Sequence, residues 1–339
     1  MVLTQRLGDA FNYLKRALSR RGTADAPLPL GLPAKPSRHA WRIAAIGSVT
    51  IAVLVAAYLV FGEVSGSVNN TELTPSVPAG GSHLIAAMSG TIERELDNGW
   101  CPTSSVLSPG HIRYDVCGFQ EGEQLVMIRM AMQAANHLTR EGSASSADPD
   151  MTAALNAMNR GNKWSPLMAN STVDQYHKAV SFLNSYNHRL SQGSVPAIEP
   201  RIDTLSGVIV DIASLIGDES IQLRKAADDD ALFSIRARTT LFHGLGVLAS
   251  SCLDLRAIEL DFATVIKLQS ATDIFHQAVA STCATIGIDP LLVVNGSDFG
   301  MMPSHLRLLA GYTSAALNDL AYVQNSIAAG ATPHAPGAR

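Results

Sequence analysis

Between Ile43 and Gly62 the chain runs through twenty residues, IAAIGSVTIAVLVAAYLVFG, without a charge. As a helix rising 1.5 Å per residue, that stretch spans about 30 Å, the thickness of a bilayer's hydrocarbon core. A helix satisfies its own backbone groups, which lipid demands. Trp41, Tyr58 and Phe61 stand near the two ends, where aromatic rings favour the membrane interface. A cleaved signal peptide has an apolar core of about 7–15 residues behind a short basic start. Here 42 residues precede the run, and no small-x-small cleavage site follows it. A buried globular helix is the other alternative, but an all-apolar helix with basic flanks is rare in soluble folds. The run therefore reads as a single transmembrane helix over 43–62.

Charge orients that helix. Residues 1–42 hold eight Lys and Arg against two acids, a net +6, whereas the remaining 17 basic and 27 acidic residues leave −10. The overall −4 averages two oppositely charged parts. Basic segments stay on the cytoplasmic side of a membrane. This predicts a cytoplasmic tail over 1–42, an anchor in a bacterial inner membrane, and a periplasmic part from residue 63. Leu3, Leu7, Phe11, Leu14 and Leu18 recur at helical spacing, with most of the tail's basic residues off that face. Such a helix either rests on anionic lipid or only supplies inward charge. Four prolines make 22–40 a linker, and the small and turn residues of 63–81 read as a stalk.

From 82 to 330 the pattern is helical. With 47% hydrophobic and 16% charged residues, disorder throughout is excluded, and the length is ample for a core. Apolar residues recur at helical spacing in 83–98, in 122–141 (Leu125, Ile128, Met132, Ala135, Leu138), after Asp148-Pro149, and in 171–192, opened by a Ser171-x-x-Asp174 capping box. A further helix starts at Pro200. Asp228 to Asp230 is expected to open the next, which runs to about Ile286 with breaks near 254–256 and 270–273. The last starts at Pro303-Ser304 and carries Leu306, Leu309, Leu320, Val323 and Ile327. Leu291–Val294 is the one strand-like run. The fold class is all-α: a transmembrane helix followed by an antiparallel bundle of about eight helices over 82–330, with a frayed tail over 331–339.

An oxidising compartment permits disulfides. Cys101 and Cys117 share one loop sixteen residues apart and are expected to pair, closing a loop worth about 3 kcal/mol. Cys252 and Cys283 on a single hairpin turning near 255 would lie roughly 40 Å apart, so the default is two buried thiols. They could meet only if the chain turned back again near residue 270.

No HExxH, Cys-x2-Cys, Walker loop, dinucleotide fingerprint or Gly-x-Ser-x-Gly elbow occurs, so no metal, cofactor or catalytic set is assigned. The acidic outer part argues against nucleic acid. Two polar stretches remain. One is the loop around Trp100 and Pro102, which either binds something or plugs the end of the bundle. The other holds Asn295, Asp298 and His305, which could converge at a pocket or merely fix a buried crossover ending in a turn.

Those stretches also carry a resemblance. The order NGWCP, FQEGE, Trp164, Tyr176, Arg201-Ile-Asp-Thr-Leu205, Asp229-Asp230, Asp261-Phe262-Ala263, LLVVNGSD and His305-Leu306 resembles an uncharacterised proteobacterial family known only as a domain of unknown function. The family pattern departs at Ser165-Pro166 and at Ser234. The resemblance implies a single-pass inner-membrane protein with a helical periplasmic part, and no activity. The leading expectation is a non-enzymatic scaffold or accessory subunit that binds a periplasmic protein or an envelope polymer. The alternatives are a ligand-binding sensor bundle, or a hydrolase using Asp298 and His305.

Overall fold

The computed structural model describes residues 46–54, 57, 68–103, 113–139, 147–161, 169–196, 198–229, 231–296 and 302–331. Two units separate along the chain, Met1–Val55 and Ala56–Arg339. In the first, residues 46–54 are helical, and Ile46, Val49, Ile51, Val53 and Leu54 are all exposed. The basic tail, the linker and the ends of the run 43–62 lie outside the described residues. Among those described, one helix is both long and apolar enough to cross a membrane, Ile235–Asp261, and it is a core helix of the second unit.

That second unit is all helical over the described residues. Its helices are α1 (His83–Asp97), α2 (Tyr114–Gln133, continued by a π turn Ala134–Leu138), α3 (Pro149–Gly161) and α4 (Ala169–Ser191), then α5 (Ile202–Asp229), α6 (Ile235–Asp261), α7 (Ala263–Leu268), α8 (Thr272–Cys283) and α9 (His305–Ala331). The all-α expectation holds. Leu291–Val294 forms no strand, and Leu291 and Leu292 are exposed rather than part of a buried crossover.

The bundle is organised around α2 and α6. They run parallel, as helices four apart in an alternating bundle must: Asp115 pairs with Arg238, and further along Glu123 meets the backbone beside Gly246. Glycine lets them touch at the backbone. A Cβ at Gly122 would sit 2.1 Å from the His243 carbonyl oxygen, and one at Gly246 would sit 2.0 Å from that of Phe119. Buried on several sides, both helices lack a single apolar stripe. The expected apolar face of 122–141 holds at Ala135 and Leu138, which are buried, and fails before them, for Leu125 and Met132 are exposed while Phe119, Val126, Met127 and Met130 are buried. The helix also starts eight residues earlier than expected, so Cys117 and Gln120 lie on α2 and not in a loop.

Other boundaries shift for local reasons. Asp228 and Asp229 end α5 instead of opening α6, where Ser234 is the cap, its hydroxyl accepting from the Ala237 N–H at 3.3 Å. The break expected near 254–256 is absent, because α6 continues to Asp261. The break near 270 is present, with Ser270 at φ 55° between α7 and α8. This second turn returns Cys283 to Cys252, and the two are disulfide-bonded with Cα atoms 5.0 Å apart. The expectation of two free thiols is therefore wrong. Cys101 and Cys117 are bonded as expected, also with Cα atoms 5.0 Å apart.

The stretch read as a stalk over 63–81 is, from Val68 onward, part of the domain. Asn70 is buried and donates from its amide to the Thr285 and Ile288 carbonyls, each at 2.8 Å. Ser82 caps α1, and Asp261 at the end of α6 accepts from the His83 and Leu84 N–H groups at 2.9 and 3.1 Å. A carboxylate at a helix N-terminus is well placed against the positive end of its dipole.

Two outcomes follow. Gly122→Val should force α2 off α6 and lower the unfolding free energy, read from the urea midpoint, by at least the about 1–3 kcal/mol of an overpacked core. An unchanged midpoint would refute the close approach. Replacing Cys252 and Cys283 together by Ala should lower stability by about 3–4 kcal/mol for the 31-residue separation, and mass spectrometry of the unreduced wild type should find no alkylatable thiol.

Candidate functional site

The loop after α1 is held by side chains on the first turns of α2. Cys101 donates its N–H to the Gln120 side-chain oxygen at 2.8 Å. The Gln120 amide in turn donates to the Glu95 carboxylate at 2.9 Å and to the Gly99 carbonyl at 3.3 Å. Trp100 is buried, its indole N–H on the Thr103 hydroxyl at 3.0 Å and its ring 4.6 Å from that of Tyr176. Gln124 donates to the Tyr176 hydroxyl, and burial pushes that phenol up to about 12. Pro102 is half-buried beside them. The structure brings Trp100, Cys101, Gln120 and Tyr176 together, with Trp100 buried against Tyr176 of α4.

Beneath this loop lies a charged cluster that the spacing of residues did not single out. Arg94 donates to Glu95 at 2.9 Å and to Glu123, and both carboxylates are fully buried. Burial raises the Glu123 carboxyl well above its ordinary range; Glu95 beside it adds to this and Arg94 pulls the other way. Burial alone would lower the Arg94 guanidinium, but Glu123 and Glu95 outweigh it and hold it above its usual value. Burial lowers Arg113, which starts the turn into α2 and leaves its Nε and Nη2 without partners. Two acids against one close cation in a dry site favour the protonated form of Glu123. The signal in the sequence was Glu95 between the apolar Ile92 and Leu96, where a carboxylate falls on the buried side of a helix.

Two further acids are buried on α5 and α6. Glu219 pairs with His243 at 2.8 Å. Burial would lower that imidazole, and the Glu219 hydrogen bond and charge raise it above its ordinary value instead. Asp254 is fully buried, has one oxygen without a hydrogen-bond partner, and is pushed up to about 8 by burial.

The second predicted stretch is tied down by hydrogen bonds where it is described. Asn295 donates from its amide to the Ala227 carbonyl at 3.0 Å, accepts from the Ser304 hydroxyl at 2.6 Å, and gives its N–H to the Leu232 carbonyl at 2.9 Å. His305 accepts the Val294 N–H on Nδ1 at 3.0 Å. These bonds latch the 289–296 loop onto the ends of α5 and α9. Asp298 and Trp164 lie outside the described residues.

One polar groove of about 610 Å³ opens between residues 73–78, α1 and α4, with Glu93, Arg94, Asn184 and His188 among its walls. Arg94 thus joins the buried carboxylates to a surface cleft. Among the described residues no three His, Cys, Asp or Glu side chains converge as metal ligands.

Residues 96–243 match a family described as an uncharacterized protein conserved in bacteria (DUF2333). The match takes in Trp100, the 119–123 motif, Trp164, Tyr176 and the start of α5, and it bears out the resemblance read from those motifs. No curated protein and no solved structure matches the chain.

The buried acids set a pH dependence. An acid whose folded-state pKa is raised contributes stability at low pH that is lost as pH climbs through that value. For Asp254 the window runs from its ordinary 3.8 to about 8, and Glu123 acts in the same direction. The urea midpoint should therefore fall between pH 5 and pH 8.5, and Asp254→Asn should flatten part of that fall and exceed the wild type at pH 8.5. Parallel curves for the two proteins would show that Asp254 does not titrate in this way.

Proposed function

We propose that this chain is a non-enzymatic, inner-membrane-anchored protein of the bacterial envelope whose periplasmic helical domain binds a partner as a scaffold or accessory subunit. The carrying observation is the pair of disulfides, Cys101–Cys117 and Cys252–Cys283, in the unit that follows the apolar run. Such bonds persist in an oxidising compartment. The basic excess before the run supports the same orientation, and the exposed apolar side chains of 46–54 support a lipid environment for the run. The family match supplies a bacterial setting and no activity. Partner binding is supported by the polar groove beside Arg94 and by exposed apolar residues at one end of the bundle. The hydrolase alternative is weakened by His305, whose Nδ1 is taken up by the Val294 N–H.

A phosphatase that is active only in the periplasm, fused after Arg339, should be active in intact cells, while the same fusion placed at residue 40 should be silent. The reverse pattern would sink the proposed orientation. Crosslinking followed by pull-down in mild detergent should return a reproducible partner, and repeated recovery of the bait alone would count against a scaffold.

A further inference from the structure

At the end of the bundle where α6 and α9 begin, six large apolar side chains are each more than half exposed: Phe233, Ile235, Leu291, Leu292, Met302 and Leu308. The latch around Asn295 gathers them. Asn295 bonds the Leu232 backbone, and Arg238, one turn beyond Ile235, donates to the Leu291 carbonyl at 3.1 Å. The Met302 backbone lies against Gly296, and Ser304 holds Asn295 one turn before Leu308. Leu291, at 91% exposure, is the most exposed large apolar residue described. Six large apolar side chains gathered and left open at one end of a bundle make a contiguous patch of the kind that marks an interaction site on a monomer's surface.

The edge of this patch carries both signs of charge. Asp115 pairs with Arg238, and Asp228 with Arg307 at 3.0 Å, while Asp289 lies near Asp115. An anionic lipid surface calls for a clear excess of Lys and Arg, which is missing here. A patch that meets itself across a two-fold axis combines an apolar centre with a polar rim, and a rim whose charges are already paired within the chain lets two identical faces meet without like-charge repulsion.

We propose that this face is a homodimer interface whose occupant is the same face of a second copy of the chain. This deepens the partner-binding reading by naming the partner, and an anchor that confines copies to one membrane would raise their effective concentration. Burying Leu291, Phe233 and their neighbours against themselves removes the exposed apolar area without a further subunit.

Site-specific crosslinking of the full-length protein in membranes tests it. Leu291→Cys treated with a short bismaleimide should give a species of twice the monomer mass. Leu268→Cys, exposed on α7 beyond the other end of α6, should not. Purified full-length wild type should be dimeric by light scattering, and Phe233→Asp with Leu291→Asp should make it monomeric with its helix content unchanged. Equal crosslinking at both positions, no crosslinking at Leu291→Cys, or a dimer that survives the two aspartates would overturn the proposal. A monomer that instead captures a different protein through Leu291 would also overturn it, and would leave the partner-binding reading standing.

Discussion

Helix α2 lies against α6 at backbone distance only because glycine occupies 118, 122 and 246. Much else depends on that approach. It sets α2 so deep that Gln120, Glu123 and Gln124, polar residues in mid-helix, are buried and must be answered from other elements. Glu95 and Arg94 on α1 answer the first two, and Tyr176 on α4 answers the third. Three elements of one apolar core are thereby also put in register by polar groups fixed on one helix. Such networks are a specificity device more than a source of stability, since a buried charge gives back in desolvation much of what pairing gains.

Helices whose apolar residues line one side could be read from the sequence. α9 begins within two residues of expectation, and Leu306, Leu309, Leu320, Val323 and Ile327 are all buried as its spacing implies. The two central helices could not, because a helix covered on several sides has no stripe and its start cannot be found from periodicity. The Cys252–Cys283 bond escaped for a related reason. Its geometry depends on the turn at Ser270, and placing the first break near 255 instead of at Phe262 moved the whole hairpin.

The candidate residues divide along the same line. Trp100 and Asn295 were singled out by residue type and by turn chemistry, and both turn out to fasten loops to helix ends. The charged cluster was missed because its members are distant in sequence and unremarkable singly. The motifs Asn98–Pro102 and Phe119–Glu123 had marked one side of it, for they are the two segments that Gln120 bridges. Asp261 follows the same rule: what looks like a chemical residue is a cap for a helix nearly 180 positions earlier.

The docking of Asn70 has a mechanical consequence. Tension entering the domain along the chain at Val68 meets first the three hydrogen bonds of Asn70, which donates to Thr285 and Ile288 and accepts the Gly287 N–H. Thr285 stands two residues beyond Cys283, and Cys283 is covalently joined to Cys252 in the middle of α6. A load applied at Val68 is thus delivered through Thr285 and the Cys252–Cys283 bond to the central helix, and α1 and its cap at Ser82 are shielded from it until the Asn70 clasp gives way.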